Sequence, residues 1–264
     1  LDVETDGEWV WAKNTSLGGD DCIAVAMALA ILADDTLPHP AIEAVFTVDE
    51  ETGMDGAFGL DCSDLKGRML LNLDSEEEGV FTVSCAGGLH SECFLAGRKL
   101  PLDGEACYAL HIDGLLGGHS GAEIDKGRAS ANQQMGRVLY TAMERFPGLR
   151  LADIRGGRFH NVICPKNDAL VAVPAVYAAD FEAFIREFDA VLKNEYVGCD
   201  DGISLKGEKT AFDAALDAAT TSRMLHTLLA LPQGVQAMNV DFKGLVQTSL
   251  NPGVMSMEDD GLHF

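Results

Sequence analysis

Carboxylate side chains stand at three places in the first third of the chain where a predicted helix or strand begins or ends. Asp20 precedes a predicted helix, Glu50 and Glu51 follow a predicted strand, and Asp74 follows another. Like charges held close together repel, so clustered carboxylates favour a bound cation or a raised pKa. Paired divalent metals need such donors, one bridging the ions and others capping them, and the ions activate water for hydrolysis. Taken singly, the same residues fit helix caps or a solvated acidic turn.

The elements around these carboxylates predict a mostly parallel sheet with helices, an α/β arrangement. Residues 41–48 and 69–73 are apolar runs typical of buried strands, and a helix is predicted to begin near Gly53. The carboxyl ends of parallel strands converge on one ligand crevice, so the three carboxylate positions should share a site. The helix predicted over 22–33 is apolar on every face, which predicts that it is buried between the sheet and other elements.

The sequence changes character after residue 88, where strands and long helices replace the strand–helix alternation. Strands are predicted near 81–86, 92–96, 106–114, 150–156, 169–174, 200–207 and 248–257, and helices near 123–146, 179–195 and 216–231. This order predicts an α+β sandwich over residues 88–264, separate from the unit over residues 1–87. The part beyond about residue 200 is interpreted as a diverged internal repeat of the preceding unit.

Composition and charge exclude several classes of partner. With 42 acidic and 19 basic residues in 264, the formal charge is -23, which disfavours nucleic acid and anionic membranes. The longest uncharged apolar run, residues 22–33, is too short to cross a bilayer. The seven cysteines form no Cys-x-x-Cys pair, so reduced thiols in the cytoplasm are predicted. Because the chain opens on Leu1 in what reads as the middle of a strand, we expect it to be a stretch of a longer polypeptide.

Six short blocks of sequence carry a resemblance that extends along the whole chain. They are Thr15–Asp20, Thr47–Ala57, Leu71–Glu76, Gly117–Gly121, Asn161–Ile163 and Thr248–Asn251. In these blocks the chain resembles the aminoacyl-histidine dipeptidases, or Xaa-His dipeptidases, a branch of the co-catalytic zinc exopeptidases related to carboxypeptidase G-like enzymes and aminoacylases. The resemblance implies the first part of a zinc-exopeptidase catalytic domain over 1–87 and a lid or dimerisation domain over 88–264.

The same resemblance implies metal and catalytic roles for the clustered carboxylates. Asp20 would bridge two zinc ions, Glu51 would cap one ion and Asp74 the other. Glu50 would be the general base that takes a proton from the attacking water. Manganese or cobalt could substitute for zinc. The histidine ligands of the family, one upstream and one near the C-terminus, have no match in this chain, so we expect the chain alone to be inactive.

Two residues of the second unit are implied to contact the substrate, which would be a small peptide. His119, within Gly-Gly-His-Ser-Gly, would stabilise the developing oxyanion, and Asn161 would be a further lid contact. A lone histidine among glycines is otherwise an ordinary loop residue, so this role depends on the resemblance. The lid domain also implies a homodimer.

Three functional hypotheses follow. The first is metal-dependent hydrolysis of dipeptides, of the Xaa-His type, by water activated by two zinc ions with a glutamate general base. The second keeps the metals and changes the substrate, as in aminoacylases or tripeptidases. The third is a non-catalytic, truncated relative that acts in self-association or peptide binding. The matched carboxylates argue against the third, because sequence drift would not be expected to spare Glu50 and Glu51 together.

Overall fold

The computed structural model describes residues 1–15, 17–75 and 78–264, with only the backbone described at Glu51 and Thr52. The chain divides into two compact units, Leu1–Gly88 and Leu89–Phe264. The predicted boundary lies one residue before this division, and the functional assignment of each unit stays a prediction. Over the described ranges, no helix combines the length and the apolar character needed to cross a membrane.

The first unit contains a hairpin, one regular helix and two short helices in its described residues. These are β1 (Val3–Thr5), β2 (Val10–Ala12), α1 (Cys22–Ala33), α2 (Glu50–Gly53) and α3 (Asp55–Phe58). Strands β1 and β2 pair antiparallel. The helix predicted over 22–33 is confirmed, and Asp21 caps it by accepting a hydrogen bond from the Ala24 N–H at 3.2 Å.

Two predictions for the first unit are wrong. No strand forms at 41–48, 69–73 or 81–86, and α1 contains no buried residue. A strand needs a hydrogen-bonded neighbour, and these three segments find none among the residues that the structure describes. An apolar helix is buried only where other elements cover it, and in α1 Ile23 remains 61% exposed. The predicted parallel ladder is therefore absent, and every strand pair formed by described residues is antiparallel.

The second unit, whose residues 89–264 are all described, contains a seven-stranded sheet and three α-helices. Its strands are β3 (Phe94–Ala96), β4 (Lys99–Pro101), β5 (Ala106–Asp113), β6 (Arg150–Gly156), β7 (Asn167–Val173), β8 (Ser204–Lys209), β9 (Ala214–Leu216), β10 (Gly234–Met238), β11 (Val246–Leu250), β12 (Met255–Met257) and β13 (Gly261–His263). Its helices are α4 (Ala131–Arg145), α5 (Ala178–Glu195) and α6 (Ala218–Ala230). The large sheet has the order β3-β13-β12-β6-β7-β5-β8, and β4-β9 and β10-β11 form separate pairs.

The predicted fold class is confirmed as a mixed α/β fold with a large sheet. In the second unit most elements lie where the sequence places them, and β6 covers the predicted residues 150–156. The helix predicted over 123–146 is shorter, because Gly127 at φ 69° ends a 3-10 turn and α4 begins only at Ala131. The internal repeat beyond about residue 200 stays a prediction.

Inward-facing side chains of strand β5, which lies between β7 and β8, contribute to the core of the second unit. Tyr108, Leu110 and Ile112 are each at most 1% exposed. They belong to one buried cluster with apolar side chains of the helices, including Leu139 of α4 and Phe181 of α5. Each fully buried side chain of this kind contributes about 1.5–3 kcal/mol. This core fixes the sheet whose connecting loops carry His119 and Asn161.

Candidate functional site

The carboxyl groups of Asp20 and Asp74 lie close enough to interact in the first unit. The hydrogen bond to Asp20 raises the pKa of Asp74, and the negative charge of Asp20, burial, and the charges of Glu50 and Asp21 raise it further. Two carboxyl groups in such contact favour a cation between them. The structure therefore brings Asp20 and Asp74 together, with Glu50 close enough to repel them.

Tight backbone turns set the position of Glu50 at the start of α2. Asp49 before it and Met54 after α2 both adopt left-handed conformations, with φ 57° and 63°. The chain then folds back so that the Gly56 N–H donates to the Val48 carbonyl at 3.1 Å. A Cβ at Gly56 would lie 2.5 Å from backbone atoms of Val48, so the approach requires glycine. Glycine at this position therefore allows the Asp-Glu-Glu turn to close.

Asp21, which follows Asp20 in the chain, has one carboxylate oxygen that accepts no hydrogen bond from the described residues. Its Oδ1 caps α1, whereas its Oδ2 is buried without a hydrogen-bond partner in the described structure. The peptide bond between Asp20 and Asp21 is cis. A buried carboxylate oxygen without a donor costs free energy, and a cation beside it would remove that cost.

These residues supply some of the ligands that a divalent cation needs, but the described residues do not form a complete site. Asp20 and Asp74 supply oxygen donors, and Asp21 supplies an unsatisfied one. In the part of the chain that the structure describes, no three His, Cys, Asp or Glu side chains lie close enough to form a complete metal site. The side chain of Glu51 lies outside the described residues, so its predicted role as a ligand stays a prediction. Carboxylates alone suit hard ions, whereas zinc also favours nitrogen ligands.

The loop between β5 and α4 carries His119 in the second unit and runs beside the loop of Asn161. His119 and Val162 form an isolated antiparallel bridge. The Ser120 N–H donates to the Asn161 carbonyl at 2.9 Å, and the Ile163 N–H donates to the Gly118 carbonyl at 2.8 Å. The two predicted substrate residues are therefore neighbours, and both are exposed.

Asn251 joins the same group of loops, although the sequence assigned it no role. Its Nδ2 donates to the carbonyl oxygens of His160 and Val162, at 2.9 Å each. Its Oδ1 is buried and has no hydrogen-bond partner among the residues that the structure describes. The signal that could have found it was its place in the block Thr248–Asn251, which falls in register with the family.

Three charged residues that support the His119 loop were also missed. Glu123 and Arg128 lie within the loop, and Asp200 is fully buried beyond α5. Asp200 accepts a hydrogen bond from the N–H of Leu116, which is 84 residues away in sequence. No local pattern reveals a contact over that separation. Asp20, Glu50 and Asp74 belong to the first unit, whereas the loops of His119 and Asn161 belong to the second.

Comparisons with known proteins agree with one another. Residues 110–199 match the model of a peptidase dimerisation domain. The cytosol non-specific dipeptidase of Escherichia coli (strain K12) is 40% identical over 260 residues, which are 97% of this chain and 53% of that protein. The crystal structure of aminoacylhistidine dipeptidase from Vibrio alginolyticus superposes with a TM-score of 0.71 at 34% identity, covering 100% of this chain and 54% of that one. The chain thus spans about half the length of these relatives.

Proposed function

We propose that this chain, which belongs with the aminoacyl-histidine dipeptidases in sequence and in fold, carries the carboxylate and lid residues of a metal-dependent dipeptidase. The observation that supports this most is the contact between the carboxyl groups of Asp20 and Asp74, with the charge of Glu50 beside them. Carboxylates at this density are destabilised unless a cation is present, and a cation held there can activate water against a peptide bond.

Each carboxylate has a separate role in the proposed mechanism. Asp20, Asp74 and Glu51 would hold the zinc ions, with Asp20 as the shared ligand, and manganese or cobalt could replace zinc. The metal ions, when bound, lower the pKa of water and polarise the peptide carbonyl. Glu50 accepts the proton of the attacking water and donates it to the leaving amine.

The second unit supplies the proposed contacts to the peptide. His119 donates a hydrogen bond to the carbonyl oxygen as negative charge develops on it, and Asn161 positions the substrate. Their neighbouring loops, joined through Ser120 and Val162, support a shared role.

The proposed substrates are dipeptides, including those with a C-terminal histidine. This follows from the names of the relatives, an aminoacylhistidine dipeptidase and a non-specific dipeptidase. The match of residues 110–199 to a peptidase dimerisation domain supports a homodimer formed through the second unit. The name of the Escherichia coli relative, a cytosol enzyme, supports a cytoplasmic location.

Two substitutions at adjacent glutamates test the roles. Glu50→Gln should retain zinc and lower dipeptide hydrolysis by about 10²–10⁴-fold, because it removes the proton acceptor and no ligand. Glu51→Gln should lose zinc as well as activity. The measurements are zinc content and the hydrolysis rate with added zinc, made in a polypeptide that extends over the full length of the relatives, because the chain alone is expected to be inactive.

The control is Glu8→Gln, at an exposed residue of the same unit, which should change neither quantity. If Glu50→Gln and Glu51→Gln lost zinc equally, the assignment of base and ligand would be wrong. If the unmodified full-length polypeptide bound zinc and hydrolysed no dipeptide, the proposed activity would be wrong.

A further inference from the structure

The imidazole of His119 accepts two backbone hydrogen bonds at one nitrogen. The N–H groups of Gly121 and Ala122 donate to His119 Nδ1 at 3.0 and 3.1 Å. A ring nitrogen that accepts hydrogen bonds carries no proton, so the proton of the neutral ring must be on Nε2. The backbone of the loop therefore selects one tautomer and leaves Nε2–H as a hydrogen-bond donor.

Two glycines of the loop make this arrangement sterically feasible. A Cβ at Gly121 would lie 3.1–3.2 Å from ring atoms of His119, which would push the ring away. A Cβ at Gly118 would lie 2.2 Å from the guanidinium of Arg128 and 2.5 Å from the carboxylate of Glu123. Gly118 also has φ 124°, which L side chains rarely adopt. Gly121 therefore leaves space for the His119 ring, and Gly118 leaves space for the side chains of Arg128 and Glu123.

An ion-pair network within the loop holds the backbone of His119. Glu123 Oε2 accepts from the His119 N–H at 3.0 Å, and Glu123 Oε1 lies 3.0 Å from Arg128 Nη2. Arg128 Nη1 in turn donates to the Gly117 carbonyl at 2.6 Å. The hydrogen bond from Lys126, that from the His119 N–H and the charge of Arg128 lower the pKa of Glu123 to about 2. The carboxylate is therefore ionised at neutral pH and retains these contacts.

Asp200 accepts hydrogen bonds from both ends of the same loop. Its Oδ1 accepts from the Leu116 N–H at 2.6 Å and its Oδ2 accepts from the Ala129 N–H at 2.7 Å. The residue is fully buried, so these backbone donors take the place of water. Charge-assisted hydrogen bonds of this kind are roughly twice as strong as neutral ones. The loop from Leu116 to Ala129 is therefore anchored at both ends.

We propose that Glu123, Arg128 and Asp200 are positioning residues that hold His119 as the neutral Nε2–H tautomer, so that His119 acts as a hydrogen-bond donor and not as a base. The catalytic consequence rests on the proposed function, since a donor aimed at substrate is of use only if this loop meets one. The tautomer itself depends only on the second unit. It is set by the Nδ1 contacts with Gly121 and Ala122.

Nitrogen-15 NMR of the full chain labelled at histidine distinguishes the two neutral tautomers directly. The His119 signals, identified by their loss in His119→Ala, should show a proton on Nε2 and none on Nδ1 at a pH where the ring is neutral. In Glu123→Gln the carboxylate no longer holds the loop, and the signals should shift toward a mixture of tautomers. Glu187→Gln, which removes the exposed ion pair with Arg145, is the matched control and should leave the signals unchanged.

Glu123 is used because Asp200 is buried and Asp200→Asn risks unfolding the loop; circular dichroism checks the fold of each variant. A proton on Nδ1 of His119, or unchanged signals in a folded Glu123→Gln variant, would overturn the inference whatever the activity. In hydrolysis assays, Glu123→Gln should lower kcat about tenfold with zinc content unchanged, less than the ~10²–10³-fold loss of a complete oxyanion donor in His119→Ala. The expected tautomer together with unchanged kcat in His119→Ala would remove the proposed catalytic role and leave the tautomer assignment standing.

Discussion

The other acidic side chains around Asp74 raise the pKa of its carboxyl group. Its pKa is raised by the hydrogen bond and charge of Asp20, and Glu50 and Asp21 add negative charge. A raised pKa in the folded state means that the folded protein binds the proton more tightly than the unfolded chain. The stabilisation by this proton is complete below the unfolded value near 3.8 and is lost as the pH rises through the folded pKa. At neutral pH the pair is therefore a source of repulsion.

Asp74→Asn should remove this repulsion. In chelator, the melting temperature of the unmodified chain should fall between about pH 4 and neutral pH, and the variant should show a smaller fall. Added zinc or magnesium should raise the melting temperature of the unmodified chain and not that of the variant. The measurement is thermal denaturation across pH, with and without the ion.

Asp35→Asn, at an exposed position of the same unit, is the control and should behave as the unmodified chain does. An equal response to the ion in Asp74→Asn and the unmodified chain would remove Asp74 from the proposed metal site.

At the scale of residues, the sequence predicts which acidic side chains lie near one another better than it predicts the contacts that support a loop. The proximity of Asp20, Glu50 and Asp74 could be predicted because they fall in the order that the resemblance implies, and their metal and catalytic roles stay predictions. Asp200 could not, because its role is a buried contact with the backbone of Leu116, far away in sequence. A buried carboxylate bonded to main-chain N–H groups leaves no local pattern to read.

At the scale of elements, success depended on whether the chain supplies the partner of each element. Strand β6 forms where the sequence predicts it, because β7 lies beside it and pairs with it. Residues 41–48 and 69–73 have the composition of strands, yet composition cannot create the neighbouring strand that a ladder requires. The sequence predicted a helix from residue 123, whereas α4 begins at Ala131. The residues before Gly127 are compatible with a helix, so the sequence did not reveal the turn that ends there.

Arg150 is an element-scale contact that joins β6 to the small β4-β9 sheet. Its guanidinium donates to the carbonyl oxygens of Leu100, Pro101, Ala215 and Leu216 and to the carboxylate of Glu105. The side chains of Arg150 and Glu105 are 14% and 16% exposed, so the pair is largely removed from water. This is the geometry in which loss of one partner is costly.

Arg150→Met should therefore lower the free energy of unfolding of the second unit by about 3 kcal/mol, since it leaves Glu105 and several carbonyl groups without donors. Urea denaturation followed by circular dichroism measures the change. Lys193→Met, which removes the ion pair between the exposed Lys193 and the half-buried Asp189 on α5, should lower the free energy by under ~1 kcal/mol. Equal losses in the two variants would show that Arg150 contributes no more than a surface charge.

At the scale of the molecule, the two units differ in how much apolar surface they remove from water. The second has a packed core, whereas no described residue of the first is buried. In the first unit Met69, Leu70 and Leu71 are 87–89% exposed. Ordering each residue costs about 1–2 kcal/mol of conformational entropy, which apolar burial normally offsets. The sequence predicted two units but could not predict this difference, because apolar composition reveals nothing about whether a covering layer is present.

Hydrogen exchange of the full chain in chelator should therefore separate the units. Backbone amides of β5, β6, β7 and α4 should be strongly protected, and those of residues 41–48 and 69–73 should exchange within seconds, because local opening there exposes no buried surface. Added zinc should slow exchange near Asp20, Glu50 and Asp74 and leave the second unit unchanged, since a ligand stabilises the state that binds it. Mass spectrometry of peptic peptides gives both readings from one sample. Strong protection of residues 41–48 in chelator would mean that the first unit is covered in solution by a second copy or by its own chain, and that its exposed apolar surface is an interface.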